Sequence, residues 1–125
     1  MATNAKRPVF LNLLQIQLPI GGVVSILHRI TGAVLSLLTP FAICALAASL
    51  QGPERFAEVQ ALLGTGLGRA AVLLLLWALI QHLYSGIRHL LMDVDVGVEL
   101  PPARRSAWLT LVASVITVAL LGVVL

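Results

Sequence analysis

ITGAVLSLLTPFAICALAASL, residues 30–50, contains no charged side chain. As a helix rising about 1.5 Å per residue, such a stretch reaches roughly 30 Å, the thickness of a bilayer's hydrocarbon core. It is long enough to span alone. Working toward the N-terminus, Arg29 and His28 interrupt the run, and apolar sequence then resumes as far as Pro19. The block at about 19–50 is therefore predicted as one long helix. Pro19 suits its N-terminus, and Pro40 should bend the helix without ending it. His28 and Arg29 then lie one or two turns inside the start, near the inner interface.

Two further blocks follow. One covers about 69–92 and holds His82, Arg88 and His89, and the other covers 106–125 without a charge. Residues 51–68 and 93–105 read as short connections. The first has Gly52, Pro53, Arg55, Glu58 and a glycine series. The second has Asp93, Asp95, Glu99, two prolines, Arg104 and Arg105. The fold class is thus an all-α integral membrane protein with three transmembrane helices and one domain, 1–125, led by an arm at 1–18. Behind Lys6 and Arg7 the sequence contains Asn12, Gln15, Gln17 and Pro19, which is too polar for a signal-peptide core.

Composition agrees. Of the 125 residues, 59% are hydrophobic and 10% charged, against about a quarter charged in soluble domains. Such a chain has too few polar groups to cover its own surface, so lipid is its natural solvent. The net charge of +3 comes without a basic tract of the kind nucleic acid requires. A single cysteine, Cys44, excludes an internal disulfide or a cysteine metal cluster. Lys6, Arg7, Arg88, Arg104 and Arg105 fall at one side of the three spans, and Arg55 and Arg69 at the other. The positive-inside rule then predicts a cytoplasmic N-terminus.

Ionisable residues inside a span are costly and usually mark a site. Ser25, His28, Arg29 and Gly32 in SILHRITG (25–32) recur at i, i+3, i+4 and i+7, one helix face. His82, Gly86 and His89 in QHLYSGIRHLLMD (81–93) do the same at i, i+4 and i+7. Both faces lie toward the same membrane side, which suggests one shared site. His82 is eleven residues from Asp93, roughly 16 Å along the helix and near the bilayer midplane. There an imidazole needs a polar group of another helix or a metal. Gly86 would let a flat macrocycle approach the backbone, so a b-type haem on His82, with Arg29, His28 or Arg88 near its propionates, is one reading. The plainer reading is a hydrogen bond between helices, which is the more common fate of a lone intramembrane histidine. Arg88 and His89 also fit simple interfacial snorkelling, and Gly32 with Ser36 fits small-residue helix packing.

SILHRITG in a first span and HLYSGIRHLLMD in a second, behind RPVFLNLLQIQLPI (7–20), resemble the larger cytochrome b membrane-anchor subunit of bacterial succinate dehydrogenase, complex II. The resemblance covers nearly the whole chain. One departure is Val-Phe-Leu-Asn at 9–12, where many relatives carry Ser-Pro-His, as in the shorter-armed bacterial subgroup. The resemblance implies that His82 is an axial ligand of haem b, shared with the smaller anchor subunit. It implies that Ser25 and Arg29 belong to a ubiquinone pocket, and that His28, Arg29, Arg88 and His89 lie at the haem propionates or edge. It further implies a flavoprotein, an iron–sulfur subunit and a smaller anchor as partners in a heteromeric helical bundle of the bacterial inner membrane. No catalytic residue is expected in this chain alone. Two other readings remain at this point: the haem-bearing anchor of another quinone-linked enzyme such as fumarate reductase, and, from a different class, a small proton-conducting transporter subunit using His82 and Arg88.

Overall fold

A computed structural model describes residues 17–124; most of the arm at 1–18, including the stretch at 9–12, lies outside the described residues. The described residues form four helices: α1 (Ile20–Ser49), α2 (Pro53–Gly64), α3 (Gly66–Asp93) and α4 (Leu100–Val124). α1, α3 and α4 are long and apolar enough to cross a membrane. α3 packs against both α1 and α4, which also touch each other. The described residues contain no strand.

Pro19 holds the N-cap of α1 in extended conformation, and its carbonyl accepts from the amides of Gly22 and Val23. Proline has no amide hydrogen of its own, so placing it at a helix start wastes no donor. Pro40 lies inside α1, which continues through it to Ser49.

The stretch at 51–68, read from the sequence as a short connection, contains a helix of its own. Twelve of its residues form α2. Pro53 occupies the first helical turn, where its fixed φ is already helical, and Glu54 beside it faces the positive end of the helix dipole. Arg55 donates to Glu58 at 2.8 Å across one turn. A single residue, Thr65, then joins α2 to α3. The Thr65 hydroxyl donates to the Leu62 carbonyl at 2.8 Å and accepts from the Gly68 amide at 3.0 Å. This cap starts α3 at Gly66, three residues before the expected Arg69. α4 likewise begins at Leu100, six residues before Ser106, because Pro101 and Pro102 fill a first turn that has no intrahelical amide bonds to lose. Arg104 and Arg105 therefore sit on the first turns of α4 and not in a loop.

Burial is distributed as lipid demands. The buried apolar side chains are small or medium, Val24, Ala78, Ile80 and Ala107, and they are outnumbered by buried polar ones: Thr31, Gln81, Ser85, Arg88, Thr110 and Ser114. The large apolar residues face outward, with Leu37 72% and Phe41 71% exposed. In water that arrangement would be unstable. In hydrocarbon, where leucine gains nothing by leaving lipid, helices associate through close packing and polar contacts. Gln81 provides the principal contact between α3 and α4. Its amide donates to Ser85 at 2.9 Å, and its carbonyl oxygen accepts from the Ser114 hydroxyl at 2.6 Å. Tyr84 and Thr117 pair one turn farther on, at 3.1 Å.

The α2–α3 corner gives a direct test. A Cβ at Gly68 would collide with the Leu62 carbonyl oxygen and lie 2.8 Å from Leu63 Cα, both backbone atoms, whereas a Cβ at Gly66 meets nothing within 4 Å. Gly68→Ala is expected to destabilise by about 1–3 kcal/mol and Gly66→Ala to be nearly neutral. Thermal unfolding of the detergent-purified complex carrying each substitution measures the difference.

Candidate functional site

The polar faces of α1 and α3 meet. Ser25, His28, Arg29 and Gly32 occupy one stripe of α1, and His82, Gly86 and His89 occupy one stripe of α3. The imidazoles of His28 and His82 stack, with ring centroids 4.1 Å apart and planes 6° from parallel. His89 meets His28 edge-on at 5.2 Å and 62°. Three histidines thus form one cluster, and His28 and His82 share one depth. The sequence places both polar faces toward one membrane side, with His28 near the interface and His82 nearer the midplane, and the stacked rings bring the two to one level of the helix pair. The two helices run antiparallel, with His28 about 12 Å in from the start of α1 and His82 about 16 Å back from the end of α3, so a short lean brings the rings together. The space beside Gly86, expected to admit a flat macrocycle, is bordered by His28: a Cβ there would lie 3.4 Å from His28 Nε2.

The hydrogen bonds of His82 define its chemistry. Its Nδ1 lies 3.0 Å from the backbone carbonyl of His28 and 3.3 Å from Thr31 Oγ1. A carbonyl oxygen can only accept, so Nδ1 carries the proton. The neutral ring then has its lone pair on Nε2, which no hydrogen bond reaches among the described residues. That is the donor arrangement of a metal-ligating histidine: one nitrogen tethered to a carbonyl, the other free to coordinate. His82 is only half-buried. No group of three or more His, Cys, Asp or Glu side chains among the described residues closes around a metal ion. A haem held through His82 Nε2 would need no such cluster within this chain, and the residues present fit it.

Arg29 is exposed and Ser25 half-buried, one helical turn apart on α1. Ser25 precedes His28 by about one turn, and Arg29 follows it directly. Arg88 makes its hydrogen bonds away from the histidines, although its Nη2 also stands against α1, where a Cβ on Gly21 would lie 3.6 Å from it. It is 6% exposed and turned to α4, donating from Nε to Ser106 Oγ at 3.0 Å and from Nη2 to the Ala103 carbonyl at 3.1 Å. Its neighbour in sequence, His89, faces α1 instead, because successive helical residues point about 100° apart. Arg88 thus fastens the first turns of α4 to α3. It also walls one end of an apolar groove of about 400 Å³ between them, bordered by Ile87, Leu91, Leu109 and Ala113.

Sequence reasoning passed over Thr31, Gln81, Ser85 and Ser114. The available signal was their polarity inside otherwise apolar spans. Thr31 is 2% exposed, and Gln81, Ser85 and Ser114 are fully buried, which in a membrane segment singles out contact positions.

Arg88→Met keeps the length and removes both charge-assisted hydrogen bonds. It should lower stability by about 2 kcal/mol and loosen the 94–105 segment. Limited proteolysis of the membrane-embedded complex would report the change as faster cleavage in that segment.

The family model described as succinate dehydrogenase/fumarate reductase transmembrane subunit matches residues 3–121. Among similar proteins, the succinate dehydrogenase cytochrome b556 subunit of Coxiella burnetii is 40% identical over 121 residues, covering 96% of this chain and 97% of that one. The subunit of the same name in Paracoccus denitrificans is 31% identical over 117 residues, covering 94% and 90%. That of Rickettsia felis is 30% identical over 118 residues, covering 94% and 92%. The match spans the histidine cluster and all three long helices, and the chain belongs to the succinate dehydrogenase/fumarate reductase transmembrane-subunit family, as a cytochrome b556-type membrane subunit.

Proposed function

We propose that this chain is the larger membrane anchor of a succinate:ubiquinone oxidoreductase, supplying one axial ligand of a haem b and part of the ubiquinone-reduction site. The observation that carries the reading is the His82 ring, with Nδ1–H committed to the His28 carbonyl and Nε2 free within a membrane span. The second axial histidine would come from the smaller anchor subunit, and electrons from the iron–sulfur subunit of the same complex, which the flavoprotein feeds. When bound, the haem supplies a one-electron reservoir beside the quinone. The rest is the work of this chain's side chains.

Arg29 and Ser25 are the groups suited to quinone. A hydroxyl and a guanidinium donate hydrogen bonds to the carbonyl oxygens of the ring, and the fixed positive charge of Arg29 favours the added electron density as those oxygens become anionic and take up protons. Exposure of Arg29 is consistent with a pocket completed by other subunits. His28 and His89 line the edge of the imidazole cluster, where ring N–H groups can meet propionate carboxylates. Arg88 is held by α4 with its Nη2 beside Gly21 of α1, so it would stand at that edge while tying the helices together. The excess of basic residues on the side of Arg88, Arg104 and Arg105 orients that side to the cytoplasm of a bacterial inner membrane, with α2 on the opposite face and one domain, 1–125, spanning between. Fumarate reductase is the other activity in the family description. The three named relatives are all described as succinate dehydrogenase subunits.

The reading is tested on the purified complex. The wild type should show a b-type reduced-minus-oxidised band, and His82→Ala should lose or shift it. Arg29→Leu should keep the band while slowing succinate-driven quinone reduction on the order of 10²-fold, the scale of losing one charge-stabilising donor. A His82→Ala complex with an unaltered band, or an Arg29→Leu complex that loses haem and keeps quinone reduction, would contradict the assignments.

A further inference from the structure

Thr31 and Gly32, which follow the His28–Arg29 pair on α1, also stand against the His82 ring. A Cβ on Gly32 would lie 2.8 Å from His82 Cε1 and 3.3 Å from its Nδ1. The first distance is shorter than carbon atoms tolerate, and an imidazole pinned at Nδ1 cannot swing aside without breaking that bond. Thr31, 2% exposed, donates its hydroxyl proton back to the Leu27 carbonyl at 2.8 Å, with His28 O at 3.1 Å. Its lone pair is thereby turned outward, and His82 Nδ1 stands 3.3 Å away. The Nδ1–H therefore has two acceptors, the His28 carbonyl and the Thr31 hydroxyl, both on α1.

We infer that Thr31 and Gly32 are positioning residues for His82: Gly32 admits the Cε1 edge of the imidazole against α1, and Thr31 with the His28 carbonyl holds the proton on Nδ1. This rests on the reading of His82 as an iron ligand and adds what fixes its rotation and its basicity. A second acceptor at Nδ1 pushes electron density toward Nε2 and makes the ring a stronger donor, which stabilises the oxidised metal. Loss of the Thr31 hydroxyl should therefore raise the haem midpoint potential. A Cβ at Gly32 should turn the ring and weaken binding of the haem itself.

The test uses the detergent-purified complex with Thr31→Val, Thr31→Ser and Gly32→Ala, and Gly22→Ala as a control on the same helix, where a Cβ approaches only Pro19, at 3.8 Å. Haem per complex and midpoint potential are measured by redox titration of the visible band. Gly32→Ala should reduce haem occupancy on the order of 10-fold, the lower range for loss of an outer-shell partner, while Gly22→Ala retains it. Thr31→Val should raise the potential, and Thr31→Ser should return it to the wild-type value. If Gly32→Ala does not assemble, the two Thr31 variants decide. Wild-type potentials in both Thr31 variants, or the same shift in both, would overturn the inference while leaving the ligand assignment intact. A wild-type complex without a b-type band would remove the ligand assignment and this inference with it.

Discussion

The hydrogen bond between His82 Nδ1 and the backbone carbonyl of His28 is the contact on which the rest of the site depends. It joins the two polar helix faces, sets which ring nitrogen is free, and brings the His28 ring into its stack on His82. Within a bilayer a bare imidazole nitrogen or an unsatisfied carbonyl costs several kcal/mol. The His28 carbonyl already serves α1, and its second lone pair is the one spent on His82. Ser25, Arg29, Gly32, His89 and Gly86 are then placed by helical geometry around that one contact.

A second polar contact, Gln81 with Ser85 and Ser114, holds the opposite face of α3 to α4. Arg88 adds a third at the end of the same helix pair. α3 is thus fixed on both sides: histidines to α1, amide and guanidinium to α4. Together these contacts replace the hydrophobic core of a soluble protein. They leave the apolar side chains of all three spans facing outward, where lipid or another subunit can cover them.

Much of this was legible in the sequence, because the bilayer leaves few alternatives. Uncharged runs of span length could only be helices, and Pro19 fell where a helix would begin. The face shared by Ser25, His28, Arg29 and Gly32 followed from spacing alone. What the sequence obscured was set by tertiary packing or by local caps. The charges and glycines at 51–68 concealed α2, whose start depends on Pro53 in its first turn and whose end depends on the Thr65 cap. Arg88 and His89 are adjacent in sequence and were read together, yet they serve opposite helices. Thr31 and Gln81 fall outside the spacings that define the two polar faces, although Thr31 touches His82 and Gln81 ties α3 to α4.

The central claim is that His82 coordinates iron through Nε2. Near-infrared magnetic circular dichroism of the oxidised complex reads axial ligand types directly, in the wild type and in a His82→Met variant. The account predicts a bis-imidazole charge-transfer band in the wild type and its displacement to the histidine–methionine position, or loss of the haem, in the variant. An unchanged bis-imidazole band in His82→Met would show that both ligands come from elsewhere, and would contradict the account.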